Sequence, residues 1–383
     1  MRLIIEPAAG AAPLLAAIKR AKKSVEIAIF RLDRKDIERA LVDAAARGVR
    51  VTALIAFHNR GGEKRLRQLE LQCLAAGITV ARTADDLIRY HGKYILIDRR
   101  VLYVLSFNFT ALDIDHSRGF GVFTSRPDCL QEAVNLFTAD CARTPYAPKV
   151  EKFVVSPANS RRVLGTFLKR ARRQLLIYDP NISDREMLGI LDERARAGVD
   201  VKVIGQVAGR HLFDVQKLAG MRLHTRTIIR DRRQAFVGSQ SLRPAELDSR
   251  RELGLLIRAP KAVKQLADTF ELDWSRARTL SAPLPASADA PPPPAASPPP
   301  AIPPPASAKD IAKAVGVFTH ELESLATTVK EAVREAVAKA GEDVLHDKDV
   351  KDTMKQVVKQ AVKEAVKDAV HEAQEALPER STV

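Results

Sequence analysis

The sequence predicts an α/β protein made of two copies of one strand–helix–strand unit, with mixed sheets covered by helices and an interface between the copies. Three observations carry that expectation. Lys19 to Ile55 aligns without a gap on Lys169 to Gly205. A second block, His91 to Asn108, recurs as His224 to Ser241 at a constant offset of 133 residues. Finally, the composition changes abruptly near residue 281, where mixed sequence gives way to proline and alanine. The expected boundaries are 1–145 for the first repeat, 146–280 for the second, 281–307 for an extended linker and 308–377 for a helical tail.

Each copy of the first block reads in the same order. A basic helix end (KRAKK or KRARR) precedes a short apolar run, which predicts a strand. An amphipathic stretch follows, and a Gly-Val pair opens a second apolar run. Gly48 and Gly198 fall just past the helix, at the position that favours a left-handed residue. Strand, helix, strand is the βαβ unit of a parallel or mixed sheet with helices on its faces.

The chemistry sits in the second block. HGKYILIDRRVLYVLSFNFT holds His91, Lys93, Asp98, Ser106 and Asn108. HTRTIIRDRRQAFVGSQSL holds His224, Arg226, Asp231, Ser239 and Ser241. Alternate side chains of a strand share a face, so His91 is expected to point with Lys93, and His224 with Arg226. A lone histidine on a strand is usually a packing residue, as His58, His116 and His211 are read here. Two histidines with matched cation, Asp and Ser spacing are read as a site.

This pattern, H-x-[KR]-x4-D followed by a Ser-x-[Asn/Ser] stretch, resembles the phospholipase D superfamily, and the resemblance runs over residues 10 to 260. It implies two-step displacement at phosphorus. One imidazole becomes a phosphohistidine and the other protonates the leaving oxygen, then activates water or an alcohol. His91 is the expected nucleophile because its motif keeps Lys93 and Asn108; His224 is the expected acid/base. Lys93 and Arg226, with Ser106, Asn108, Ser239 and Ser241, would hold the non-bridging oxygens. Asp98 and Asp231 would be architectural, and Glu252 would orient an imidazole through its second nitrogen. No metal or cofactor is expected.

Several positions depart from that pattern. Arg226 stands where the family has Lys, and its planar fork is not equivalent to an ammonium. Ser241 replaces the second Asn, Leu105 stands in for a Gly, and Gly119 occupies the point that matches Glu252. A composite site drawn from both repeats fits these residues, and so does a weakened or silent binding module.

Residues 1–280 contain 50 Lys+Arg against 31 Asp+Glu, a net of +19. That field suits a polyanionic partner, although an arginine-rich surface alone would also produce it. Phospholipid is the preferred phosphodiester substrate; nucleic acid cut by a nuclease, or phosphatidyl transfer, are the alternatives. Cys73, Cys129 and Cys141 are too few and too scattered for a disulfide framework. Neither a leader nor a run long enough to span a bilayer is visible, so a cytoplasmic protein is expected, with peripheral membrane contact as an option.

In the tail, Ile311, Val315, Phe318, Leu322, Leu325 and Val329 repeat by fours and threes, the spacing of a coiled coil. A second helix after Gly341 places Val358, Val362, Val366 and Val370 on one stripe. Self-association is the preferred reading, because the tail's apolar face is small Ala and Val with no Trp and little Leu; an amphipathic helix on a membrane is the alternative. A chain ending at Thr279 is expected to form a smaller native assembly than the full chain, with unchanged turnover on a soluble diester. Unaltered native mass combined with lost binding to acidic vesicles would assign the tail to the membrane instead.

Overall fold

The apolar runs that follow each basic helix end become central strands, and their neighbours build outward from them. A computed structural model describes residues 1–57 and 63–281. His58, the linker beyond Ser281 and the helical tail lie outside the described residues.

The first half opens with β1 (Arg2–Glu6), α1 (Ala12–Arg20), β2 (Ser24–Ile29), α2 (Lys35–Ala46) and β3 (Arg50–Ile55). It continues through α3 (Glu63–Ala75), β4 (Thr79–Arg82), β5 (Arg89–Tyr90), β6 (Tyr94–Ile97) and β7 (Val101–Leu105). It closes with α4 (Ala111–Asp115), β8 (Ser117–Thr124) and α5 (Pro127–Ala142). The second half runs β9 (Phe153–Ser156), α6 (Ser160–Lys169), β10 (Gln174–Ile182), α7 (Arg185–Arg196) and β11 (Asp200–Val207). Then come β12 (Asp214–Gln216), β13 (Arg222–Leu223), β14 (Arg226–Arg230), β15 (Gln234–Gly238), α8 (Pro244–Asp248), β16 (Arg250–Ile257) and α9 (Pro260–Ser281).

The βαβ expectation holds in both halves. β2 pairs in parallel with β3, and β10 with β11. Gly48 and Gly198 both take positive φ, 84° and 82°, directly after their helices. One sheet has the order β1-β8-β7-β6-β2-β3-β4 and the other β12-β11-β10-β14-β15-β16-β5. Among the described residues each has eight strands, with β13 added beside β8 in the first and β9 beside β16 in the second. Both sheets are covered on both faces, which is why β2 is buried along its whole length.

Two outer cores form where α1, α2 and α3 cover the first sheet, and α6 and α7 the second. A central core joins them. Leu96 and Val104 of one sheet, Leu176 and Val237 of the other, Phe137 of α5 and Trp274 of α9 all belong to it. The two repeats therefore share one core and, among the described residues, form a single compact unit. Among the described residues no helix is long and apolar enough to cross a membrane.

Exchange of short strands is the feature that sequence periodicity did not indicate. β5 belongs to the first half yet pairs with β16, and β13 belongs to the second yet pairs with β8. His91 and His224 directly follow these two strands. The expectation that His91 lies on the same strand as Lys93 is thus corrected: His91 to Lys93 is irregular backbone between β5 and β6, and His224 precedes β14. The chain is changing sheets at these points, so regular pairing to one neighbour is interrupted.

Asp98 and Asp231 brace the opposite ends of β6 and β14. Asp98 accepts from the backbone N–H groups of Lys22, Lys23 and Ser24, at 2.6–3.1 Å. Asp231 accepts from those of Arg172, Arg173 and Gln174, at 2.7–3.2 Å. Both sit at positive φ, 53° and 51°, which Asp tolerates better than most residues. Asp98→Ala is expected to cost about 2 kcal/mol, from the lost acceptor and the strained backbone together. Thermal melting should show a fall of roughly 4–8 °C, smaller for Asp98→Asn. An unchanged melting temperature for Asp98→Ala would remove this brace from the account.

Candidate active site at the junction of the two halves

The strand exchange carries each histidine across to the other half. The His91 N–H donates to the Arg251 carbonyl at 2.7 Å, which sets its ring against the next residue, Glu252. His91 Nδ1 lies 3.0 and 2.9 Å from the two Glu252 carboxyl oxygens. Glu252 is fully buried on β16. Assigning the Nδ1 proton to this bond leaves Nε2 as the free lone pair. Burial, followed by the charges of Lys93 and Arg226, holds His91 well below the usual histidine value. Burial likewise pushes the Glu252 carboxyl up, with Lys93 opposing it. A neutral imidazole with a fixed tautomer is what a nucleophile at phosphorus requires.

His224 arrives by the mirror route. Its N–H donates to the Arg118 carbonyl at 3.1 Å. The residue after Arg118 is Gly119, so no carboxylate is waiting there. A Cβ at Gly119 would meet the Phe107 ring at 2.8 Å, and the residue that matches Phe107 in the other half is Gln240. The acid comes from elsewhere: Asp113 of α4 places Oδ2 3.3 Å from His224 Nδ1. The approach is close but falls outside hydrogen-bond alignment, and His224 Nδ1 has no hydrogen bond. Burial, then Arg226 and Lys93, hold His224 well below the usual histidine value.

Asp113 was missed in the sequence, although a signal for it exists. It lies five residues past Asn108, as Glu246 lies five past Ser241, so the two acids keep the same offset as the motifs. Asp113 accepts from the Asn108 N–H at 2.8 Å, from Asn108 Nδ2 at 2.7 Å and from Arg222 Nη1 at 2.6 Å. Glu246 accepts from the Ser241 N–H at 2.7 Å and from Arg250 Nη1 at 3.0 Å.

The cations complete the site. Lys93 is fully buried and its Nζ has no hydrogen-bond partner. Burial lowers its proton affinity, with Glu252 pulling the other way. Its Nζ stands 5.4 Å from the centre of the Phe30 ring, which meets His91 edge-on at 4.5 Å. Arg226 donates through Nε to the Ser241 hydroxyl at 3.2 Å and through Nη1 to the His224 carbonyl at 2.7 Å. A longer cation is thus matched by a shorter neighbour: Arg226 with Ser241 in one half, Lys93 with Asn108 in the other.

The remaining predicted residues face the scaffold. The Ser106 hydroxyl accepts from the Phe120 N–H at 2.9 Å, and that of Ser239 from the Leu253 N–H at 3.2 Å. The Asn108 amide nitrogen is engaged by Asp113, while its Oδ1 is buried without a partner. Among the described residues, no three His, Cys, Asp or Glu side chains gather as a metal-ligand group.

If Asp113 supports His224 as Glu252 supports His91, then Asp113→Asn should lower kcat by on the order of 10²-fold or more. The sign of its pH effect follows from charge: removing a carboxylate lowers the proton affinity of His224 further. The alkaline limb of kcat against pH should therefore move to lower pH. A loss of stability with an unmoved pH profile would make Asp113 a brace for Asn108 and Arg222 only.

The family described as "Cardiolipin synthase, PLD-like domain" matches residues 14–141 and 164–274, segments that contain His91 and His224 respectively. The polyphosphate kinase of Mycolicibacterium paratuberculosis is 24% identical over 264 residues, 61% of this chain and 36% of the relative. The chain thus spans about a third of that relative's length. The crystal structure of polyphosphate kinase from Porphyromonas gingivalis superposes with a TM-score of 0.60 at 19% identity, covering 71% of this chain and 50% of that one. Phosphatidylserine synthase from Haemophilus influenzae Rd KW20 does so with a TM-score of 0.55 at 11% identity, covering 72% and 86%. At such identities the likeness is one of fold. The family segments, however, take in most of the chain and both histidine motifs, and the chain belongs to the phospholipase D superfamily.

Proposed function

We propose that the protein is a phospholipase D-type phosphodiesterase that cleaves a phospholipid through a phosphohistidine on His91. The observation that supports this best is the buried His91–Glu252 pair, set beside a Lys93 Nζ that has no hydrogen-bond partner. His91 Nε2 attacks phosphorus, and the bond to the leaving oxygen breaks as His224 delivers a proton to it. His224 then takes a proton from water, whose oxygen attacks phosphorus and releases His91. Lys93 and Arg226 balance the charge that builds on the non-bridging oxygens. Phospholipid is favoured as the substrate by the family's description as a cardiolipin synthase-type domain. That description equally motivates a second reading, phosphatidyl transfer, in which an alcohol replaces water in the second step.

The test incubates purified protein with labelled phosphatidylcholine, phosphatidylglycerol and single-stranded DNA, with EDTA throughout. Release of headgroup or of a transfer product is expected, because side chains rather than ions clamp the phosphate. Activity that needs added magnesium or zinc would overturn the mechanism, and cleavage of DNA alone would overturn the substrate. His91→Ala and His224→Ala should each lower turnover by on the order of 10³-fold, with the double variant barely worse. Substantial residual activity in His224→Ala would assign the acid/base role elsewhere.

A further inference from the structure

A second basic hollow lies at the far end of the second sheet from the histidines. It has a volume of about 680 Å³ and is bounded by α6, the end of β14, the start of β15 and the end of β16. The catalytic Arg226 opens β14 and Arg230 closes it, so the two sites stand about 13 Å apart along that strand. Six cations line the hollow: Arg126, Lys152, Arg162, Arg170, Arg230 and Arg258. Val163, Phe167 and Leu256 supply apolar wall.

Three of these cations are balanced locally. Arg162 pairs with Glu151 at 3.1 Å, and Asp128 serves both Arg126 and Lys152. The other three, Arg170, Arg230 and Arg258, have no ion pair with a carboxylate among the described residues. Arg230 is only 9% exposed. Its guanidinium lies 4.3 Å over the Phe167 ring and donates to the Phe167 carbonyl at 2.9 Å and to Gln234. Burial lowers its proton affinity; Asp231 offsets part of that, and Arg170 and Arg258 add repulsion.

A buried guanidinium fixed by neutral acceptors, with two more guanidinium groups set against it, is unfavourable unless an anion joins them. A neighbouring hollow of about 490 Å³ shares Arg170 and Arg230 and extends the track to Lys169, Arg172 and Arg194. The positive charge is therefore concentrated in two adjoining hollows, which matches an anion with closely spaced charges better than one whose phosphates are separated by sugars. Forked guanidinium groups suit phosphate oxygens in particular.

We infer that this track is a binding site for a linear oligophosphate, separate from the catalytic centre. The ligand chemistry is a run of adjacent phosphates, carried either by an inorganic chain or by a nucleoside polyphosphate whose base would lie on the Phe167 side.

The test uses the full chain and isothermal titration calorimetry, with inorganic tripolyphosphate and ATP as separate probes. The double variant Arg170→Ala, Arg258→Ala removes two exposed rim cations outside the catalytic machinery and leaves Arg230 in place. It is expected to weaken tripolyphosphate binding about tenfold or more while leaving turnover of bis(4-nitrophenyl) phosphate unchanged. Lys93→Ala should do the reverse. Tighter ATP would identify the nucleotide source, and equal or tighter tripolyphosphate the inorganic one. Wild-type tripolyphosphate affinity in the double variant overturns the proposal. So does single-stranded DNA binding that depends on Arg170 and Arg258 while tripolyphosphate does not bind. Because the binding arm needs no turnover, the inference can fail or stand independently of the proposed phosphodiesterase.

Discussion

Two backbone hydrogen bonds, from the His91 N–H to the Arg251 carbonyl and from the His224 N–H to the Arg118 carbonyl, are the constraint on which the site depends. They close the exchanged strands β5 and β13 onto the partner sheets, so neither half can assemble its histidine environment alone. The same two arginines lock the exchange from beneath. Arg118 pairs with Asp273 of α9 at 2.8 Å, and Arg251 with Asp140 of α5 at 3.2 Å. Both pairs are buried, and each joins one half to the other. Buried ion pairs add little net stability but penalise any arrangement that leaves one partner unmatched. Here that penalty falls on misregistered packing of the halves. In the Arg251 pair, burial outweighs the arginine and pushes Asp140 up to about 7.

The two halves have diverged in linked positions rather than singly. Leu105 faces Gly121 across β7 and β8, and a Cβ on Gly121 would come within 2.7 Å of the leucine side chain. In the other half Gly238 faces Gly254, and the Phe236 ring covers the space above them. Phe107 packs against Gly119, whereas its counterpart Gln240 donates to the Val154 carbonyl at 3.0 Å and sets its Oε1 over Gly254. The departures at Leu105, Phe107 and Gly119 thus form one repacking of the first half. Its consequence is that Phe107 leaves no room for a side chain at position 119, whereas Glu252 at the matching position meets His91.

Much of this was legible in the sequence because it is local or repeated. The βαβ units follow from apolar spacing and from Gly48 and Gly198, and the motif offset brought His91, Lys93, His224 and Arg226 together. Glu252 was legible from its motif, and the structure sets it on His91. The strand exchange was not legible, because β5 and β13 are two residues each and their partners are far away in sequence. Asp113 escaped for a related reason: it approaches His224 from a short helix, while the motif directs attention to Gly119. The roles expected of Ser106 and Ser239 came from the pattern alone, whereas their hydroxyls meet backbone N–H groups of β8 and β16.

The electrostatics of the site bear on how one pocket can supply both a base and an acid. Burial and the shared cations Lys93 and Arg226 depress both histidines, so the unliganded site favours two neutral imidazoles. In the proposed mechanism that suits His91 as the attacking ring and opposes His224 as the donor. A phosphodiester brings one negative charge into the same low-dielectric space. It cancels part of the field of Lys93 and Arg226 and raises the proton affinity of whichever ring can respond. His91 is held by Glu252 through Nδ1; in the proposed mechanism its Nε2 attacks phosphorus, and the added proton then goes to His224, beside Asp113. Substrate charge therefore differentiates two histidines that the repeat made alike. In the proposed mechanism the asymmetry between Glu252 and Asp113 decides which of them becomes the acid.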